Sequence, residues 1–315
     1  MSDPALIGIR FALYADLMLV AGLAAFLLYA LTRDERASPA LTDRIWRAER
    51  WLCAAGLLVS ALGMGVLAAS MQDVGLLALD AQSFQDIVRQ SDAGTAWLYR
   101  SAALAAALAA SIWMRRWPHA AAMLLVAAAM AAVATLAWSG HAGASEGAAG
   151  IIHRVGDIVH MTAAAVWIGA LAAFVLLLHP RCPEGAAIAA RSLEQFSTIG
   201  TICVLLIAGT GLLNGQMIIG AQNLGRSLAA PYGQLLLAKL ALFALMLALA
   251  AANRWRFTLA LGAAIAQAEA SRDENSSGTI ATLRKSLIVE ATAAFTILAL
   301  VAWLGTLDPF GSEGM

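Results

Sequence analysis

The sequence predicts an all-α fold: a polytopic membrane bundle of about eight transmembrane helices, forming a single transmembrane domain over residues 1–315. Three observations carry this. The chain is 61% hydrophobic and 13% charged, with a mean hydropathy of +0.76, far from the roughly 25% charged of a soluble domain. Apolar runs of about 20 residues, long enough to cross a bilayer, recur along nearly the whole length. Lys and Arg gather in alternate connections, as the positive-inside rule requires of a threaded chain.

Taken in order, apolar runs between charged or Gly/Pro breaks give spans at about 6–31, 51–71, 95–114, 118–138, 151–179, 194–220, 232–253 and 286–306. The first, Leu6 to Leu31, is too long for a signal core and reads as a retained helix. The connections after spans one, three, five and seven hold most of the 20 basic residues, Arg33 to Arg50 and Arg254 to Lys285 being the densest groups. That side is inner, so both termini face out. On the outer side, Asp80 to Arg89 has the apolar spacing of a short interfacial helix able to lid the mouth. Ser139 to Gly150 reads as a small, flexible loop, and Ala266 to Gly278 as the disordered linker of the inner side. Neither half repeats the other.

With so little chain outside the spans, function must lie in the bundle or at its face. A net charge of +0 argues against a nucleic-acid binder, and no Walker loop is present. The three cysteines, Cys53, Cys182 and Cys203, show no paired spacing and read as reduced thiols toward the inner side.

The fifth span is the informative one. Its first third carries His153, Arg154, Asp157 and His160, groups that hydrocarbon tolerates only against protein or trapped water. His153 and His160 are seven residues apart and share a helix face, about 10 Å apart along the axis. Asp157 lies on that face between them, able to orient either ring. His141 precedes the helix, so three of the five histidines fall close together on the outer side, a set suited to a borderline or soft metal. The bland alternative is that these rings cap the helix and bond backbone or water. Met64, Met71 and Met217 approach the same side and Met161 adjoins His160; thioethers suit Cu(I), although apolar helices also use Met as packing. Lys239 lies at a depth comparable to Asp16 and Asp157, so an ion pair with either aspartate is expected. Glu290 sits near Arg284 and Lys285, to pair locally or to serve as a proton or ion step.

At these residues the chain resembles the copper resistance protein D family of bacterial inner-membrane proteins. The likeness rests on Ser139-Gly140-His141, on Asp157 to Gly169 with His160 and Trp167, on Tyr232-Gly233 to Lys239 with Ala252-Asn253-Arg254 closing that span, and on Leu283 to Glu290. It implies copper handling: copper passed inward across the inner membrane from a periplasmic copper-binding donor protein, with Cu(I) the form the thioether donors suit. His141, Asp157, His160, Trp167, Lys239 and Glu290 are the positions carried over; His153 rests on the face argument alone. The expected metal set is thus His141, His153, His160, Met64, Met71 and Met217, with Asp157, Met161, Trp167, Asp16, Lys239 and Glu290 behind it or along an ion path. The chain is not expected to be an enzyme. Two other readings stay open: a haem-b membrane oxidoreductase, because helical bundles also hold haem between histidines, and a copper sensor or assembly factor that binds without transporting.

Overall fold

The computed structural model describes residues 4–138, 147–179, 185–270 and 275–310; every structural statement below concerns these. The chain order is α1 (Pro4–Tyr29), α2 (Arg33–Ala37), α3 (Pro39–Met71), α4 (Ala81–Gln90), α5 (Asp92–Trp113), α6 (Pro118–Ala134), α7 (Gly147–Leu177), α8 (Gly185–Ile218), α9 (Leu224–Ala229), α10 (Pro231–Ala270) and α11 (Asn275–Leu304). No strand occurs among the described residues. Helices satisfy every backbone group within one segment, which is what a bilayer demands.

Seven helices are long and apolar enough to cross a membrane. The expected third span forms too, as the 22-residue α5, but Tyr99 and Arg100 in its middle lower its hydropathy below that of the others. It is held between α3 and α6, so Arg100 meets protein, while Tyr99 is 68% exposed. Two boundaries move. Helix α3 begins about three turns before the expected residue 51, and α10 continues to Ala270 while α11 starts at Asn275, so the linker predicted over Ala266 to Gly278 is helical at both described ends.

Helix α1 is the axis of the bundle. Two thirds of its apolar window is buried, 67%, against 6% for α8 and α10, which pack by one stripe each and turn the rest outward. It touches α3, α6, α7 and α11, so residues from both halves of the chain share one core. Its closest approach is to α7, where Gly22 and Gly169 face each other and a Cβ on either would overlap the other helix's backbone. Small residues at a crossing let backbones come into van der Waals contact, which is how membrane helices associate without a hydrophobic driving force.

The arginine-rich end of α1 is tied off by side chains. Arg36 Nη1 donates to the carbonyls of Leu27, Leu28 and Leu31, each at 2.9 Å. Arg191, on α8, donates to Ala30 O at 2.9 Å and to both carboxylate oxygens of Glu35 at 2.7 and 2.8 Å. These guanidiniums satisfy carbonyls that the helix leaves without internal partners. Glu35 also closes a capping box with Thr32. The Arg191 guanidinium holds the Glu35 carboxyl below its ordinary value.

At the opposite end the short helix read from Asp80 to Arg89 is present as α4. Asp80 caps it, accepting from the amides of Gln82 and Ser83 at 2.9 Å. It folds back on α5, with Val88 against the backbone of Gly94 and Phe84 edge-on to Trp97.

Candidate functional site

A polar seam runs between α7 and α8. Residues 203, 207, 210 and 214 recur at helical spacing on the face of α8 turned to α7, while Ile202, Leu205, Leu206 and Leu212 are exposed on the other side. Gly156 on α7 leaves room for Leu213 and Asn214 to approach. Asn214 Nδ2 donates to Asp157 Oδ1 at 2.6 Å, and His160 Nδ1 lies 3.0 Å from Thr210 Oγ1. Gly211 sits under the His160 ring. From α10, the half-buried Lys239 acts electrostatically on both Asp157 and His160, and Tyr232 is within reach of Asp157. Three helices therefore converge on one imidazole, one carboxylate and one ammonium. Of the two aspartates expected to pair with Lys239, Asp157 is the one whose charge acts on it.

This arrangement can offer Nε2 of His160 to a cation while Thr210 fixes the ring through Nδ1, the usual way a second partner orients a histidine ligand. The Asp157 carboxylate supplies negative charge a turn away, offset by Lys239.

The rest of the expected metal set falls elsewhere. His153 is 2% exposed, nearly two turns from His160 on the same helix. Met64 is buried on α3, whereas Met71 and Met217 point outward at 60% and 38% exposure. Met161 lies against the main core rather than in the seam. His141, Ser139 and Cys182 are outside the described residues. No group of three or more His, Cys, Asp or Glu stands at metal-binding range among the described residues, so the predicted ligands are not gathered into one cage there. The physical reason is that α7 presents His160 to α8, whereas α3, which carries Met64 and Met71, packs mainly on α1 and α5. The outer histidines within the described residues belong to one helix, which is not the facing-helix arrangement that holds haem between two axial rings.

Toward the arginine-rich side the seam meets a second network. Glu290, 2% exposed on α11, accepts from Trp167 Nε1 at 3.0 Å and from Asn253 Nδ2 at 3.1 Å; Ser286 Oγ in turn donates to Asn253 Oδ1 at 2.7 Å. The local pairing expected of Glu290 with Arg284 and Lys285 does not form. Its carboxylate faces inward because residues 283, 287, 290 and 294 make the buried stripe of α11, while Lys285 is on the outward side. Trp167 also stands edge-on to Phe196, and the free thiol of Cys203 is buried on α8 two turns from Thr210. Asn253 and Ser286, quoted above only as parts of motifs, and Thr210 and Asn214, which sequence reading passed over, are the added members. For the last two the available signal was polar residues four apart in an apolar run.

The fold and this seam define a class: a multi-pass helical membrane protein whose polar site is built by three membrane helices. Comparison with known proteins narrows it. The family model described as copper resistance protein D-like, N-terminal domain, matches residues 1–151, and the one described as copper resistance protein D matches residues 190–304. The chain is 38% identical over 322 aligned positions to copper resistance protein D of Pseudomonas syringae pv. tomato, covering all of both chains. It belongs to the copper resistance protein D family. It is also 27% identical to inner membrane protein YebZ of Escherichia coli (strain K12), over 96% of this chain and 98% of that one. A segment covering 36% of the chain is 38% identical to part of the copper transport protein CutJ of Bacillus subtilis (strain 168), 21% of that protein's length. No solved structure matches the chain.

Proposed function

We propose that the chain is an inner-membrane copper-handling protein that accepts copper on the outer, periplasmic side and moves it across the bilayer, with both termini on that outer side. The observation that carries this reading is the convergence of His160 and Asp157 with Thr210, Asn214 and Lys239 within the membrane, in a chain of the copper resistance protein D family. Ionisable groups at that depth are costly and are kept for ion pathways or relays. Copper, as Cu(I), is the cargo: imidazole and thiol are the donors it prefers, and His160, then the buried Cys203 two turns along the same α8 face, lie in line across the bilayer. A separate periplasmic copper-binding protein supplies the ion, with its concentration gradient or an inner sink driving the movement.

The test is copper uptake into sealed vesicles holding the full chain, set beside metal analysis of the purified protein. Wild type is expected to accumulate copper and His160→Ala to accumulate far less at equal protein level. Equal uptake by the two would discard the site, and binding without any uptake would assign the protein to sensing or assembly instead.

A further inference from the structure

The interface of α1 and α3 contains an acidic pair that the copper reading does not use. Glu49, Cys53 and Gly56 follow one another at four- and three-residue spacing, so they form one stripe of α3 facing α1. Glu49 and Cys53 are wholly buried, and Asp16 of α1 is 7% exposed. Asp16 Oδ2 fills the space a Cβ at Gly56 would need, and Leu104 of α5 closes the site from the third side. Glu49 and Gly56 are about 10 Å apart along the helix, with the Cys53 thiol midway. Asp16 and Glu49 act electrostatically on each other and on Cys53.

Neither oxygen of Glu49 has a hydrogen-bond partner, nor does Asp16 Oδ2, and no ion pair includes either residue among the described residues. None of the charged groups on the surrounding helices forms an ion pair with either carboxylate among the described residues. On α5, Arg100 Nε donates to Ser60 Oγ at 2.9 Å, one turn beyond Gly56; its buried Nη1 has no hydrogen-bond partner, and its charge is not among those acting on Asp16 or Glu49. On α1, Arg10 donates to Tyr14, and Tyr29 lies beside Cys203. On α2, Arg36 is bound to α1 carbonyls; on α11, Glu290 is bound to Trp167 and Asn253; on α7, Asp157 and His160 face α8. His119 of α6 is exposed. Two bare carboxylates that share one low-dielectric interior repel each other and lack solvation, so a positive charge must accompany them. Metal-binding geometry is not assembled there among the described residues, which leaves the proton.

We propose that Asp16 and Glu49 form a proton-binding pair inside the membrane, and that the bundle exchanges a proton there as its cationic cargo crosses. The first half stands by itself; the second rests on the copper reading above. Binding consumes one free proton per carboxylate and forms one O–H bond; release returns the same proton, with no redox change.

The full chain in lipid vesicles tests both halves separately. Infrared spectra at neutral pH are expected to show the carbonyl stretch of a protonated carboxylic acid, reduced in Glu49→Gln and in Asp16→Asn. A hydrophobic carbodiimide, which reacts with protonated carboxyls in apolar surroundings, is expected to label Glu49 in wild type. A spectrum unchanged by both substitutions, in protein that remains folded by circular dichroism, overturns the proton site; so does absence of carbodiimide label on either residue. Cu(I) added to vesicles containing a pH dye is expected to change internal pH with wild type, and not with Glu49→Gln although that variant still binds copper. Copper uptake by wild type without any pH change overturns the exchange while leaving the copper reading intact.

Discussion

Glu290 offers the most quantitative test of the architecture, because one carboxylate joins three helices. Replacing it by Leu keeps the bulk but leaves Trp167 Nε1–H and Asn253 Nδ2–H without an acceptor. Interhelical hydrogen bonds in membranes are worth about 0.6 kcal/mol on average and about 1.7 at most. Two bonds to one carboxyl group therefore set the expected loss at about 1–3 kcal/mol. Glu290→Gln should be milder. Its carbonyl can still serve Trp167, which only donates, while its amide faces Asn253, whose own amide can turn over because the Ser286 hydroxyl is able to reverse from donor to acceptor. One bond is then reoriented rather than lost, and the cost should stay under about 1 kcal/mol. Adding Trp167→Phe to Glu290→Leu should cost less than the sum of the two single changes, since the orphaned donor is removed with its acceptor. Equilibrium unfolding in mixed micelles measures the wild type and the four variants. Equal stability of Glu290→Leu and wild type, or equal damage from Leu and Gln, would refute the argument that this carboxylate is held by two donors across α7, α10 and α11.

Other consequences are as direct. Gly169→Val places a branched side chain where the α1 backbone passes, so the central crossing must open; loss of the folded bundle on gel filtration is expected, whereas Gly215→Ala, with open space at its Cβ, should behave as wild type. Thr210→Val removes the partner of His160 Nδ1 while keeping the shape, and should weaken copper uptake in vesicles without unfolding the chain, less severely than His160→Ala. Because Arg191 depresses the Glu35 carboxyl below its ordinary value of 4.5, that contact contributes stability above that pH and loses it as pH falls through the lower folded-state value. Thermal stability of wild type should therefore drop more than that of Arg191→Gln between neutral and strongly acidic pH. Asp80→Ala removes the cap of α4 and should cost about 1 kcal/mol, read by faster amide exchange over residues 81–84.

The extent to which the site could be read in advance varied with the kind of signal. A single helix encodes its own periodicity, so the shared face of Asp157 and His160 and the capped helix after Asp80 were legible from spacing. Lys239 was legible only as a charge in need of a partner; which aspartate acts on it depends on α10 packing against α8, which also meets α7, while Asp16 turns toward α3. The methionines misled because a thioether at helical spacing serves packing and ligation equally well, and nothing local records which way it points. Glu290 was placed near cations in height, yet height along an axis does not determine azimuth, and the ring nitrogen that donates to it is 123 residues away in sequence.

Composition and period alone settled that this is a membrane bundle and where its membrane-crossing stretches fall, though not where each helix begins and ends, because the bilayer fixes both span length and the need for internal hydrogen bonds. Tertiary structure decided what each polar side chain meets. Helix packing in a membrane is set by small residues and by partners far apart in the chain, such as Gly22 with Gly169, Thr210 with His160 and Trp167 with Glu290, and no local pattern specifies such pairings.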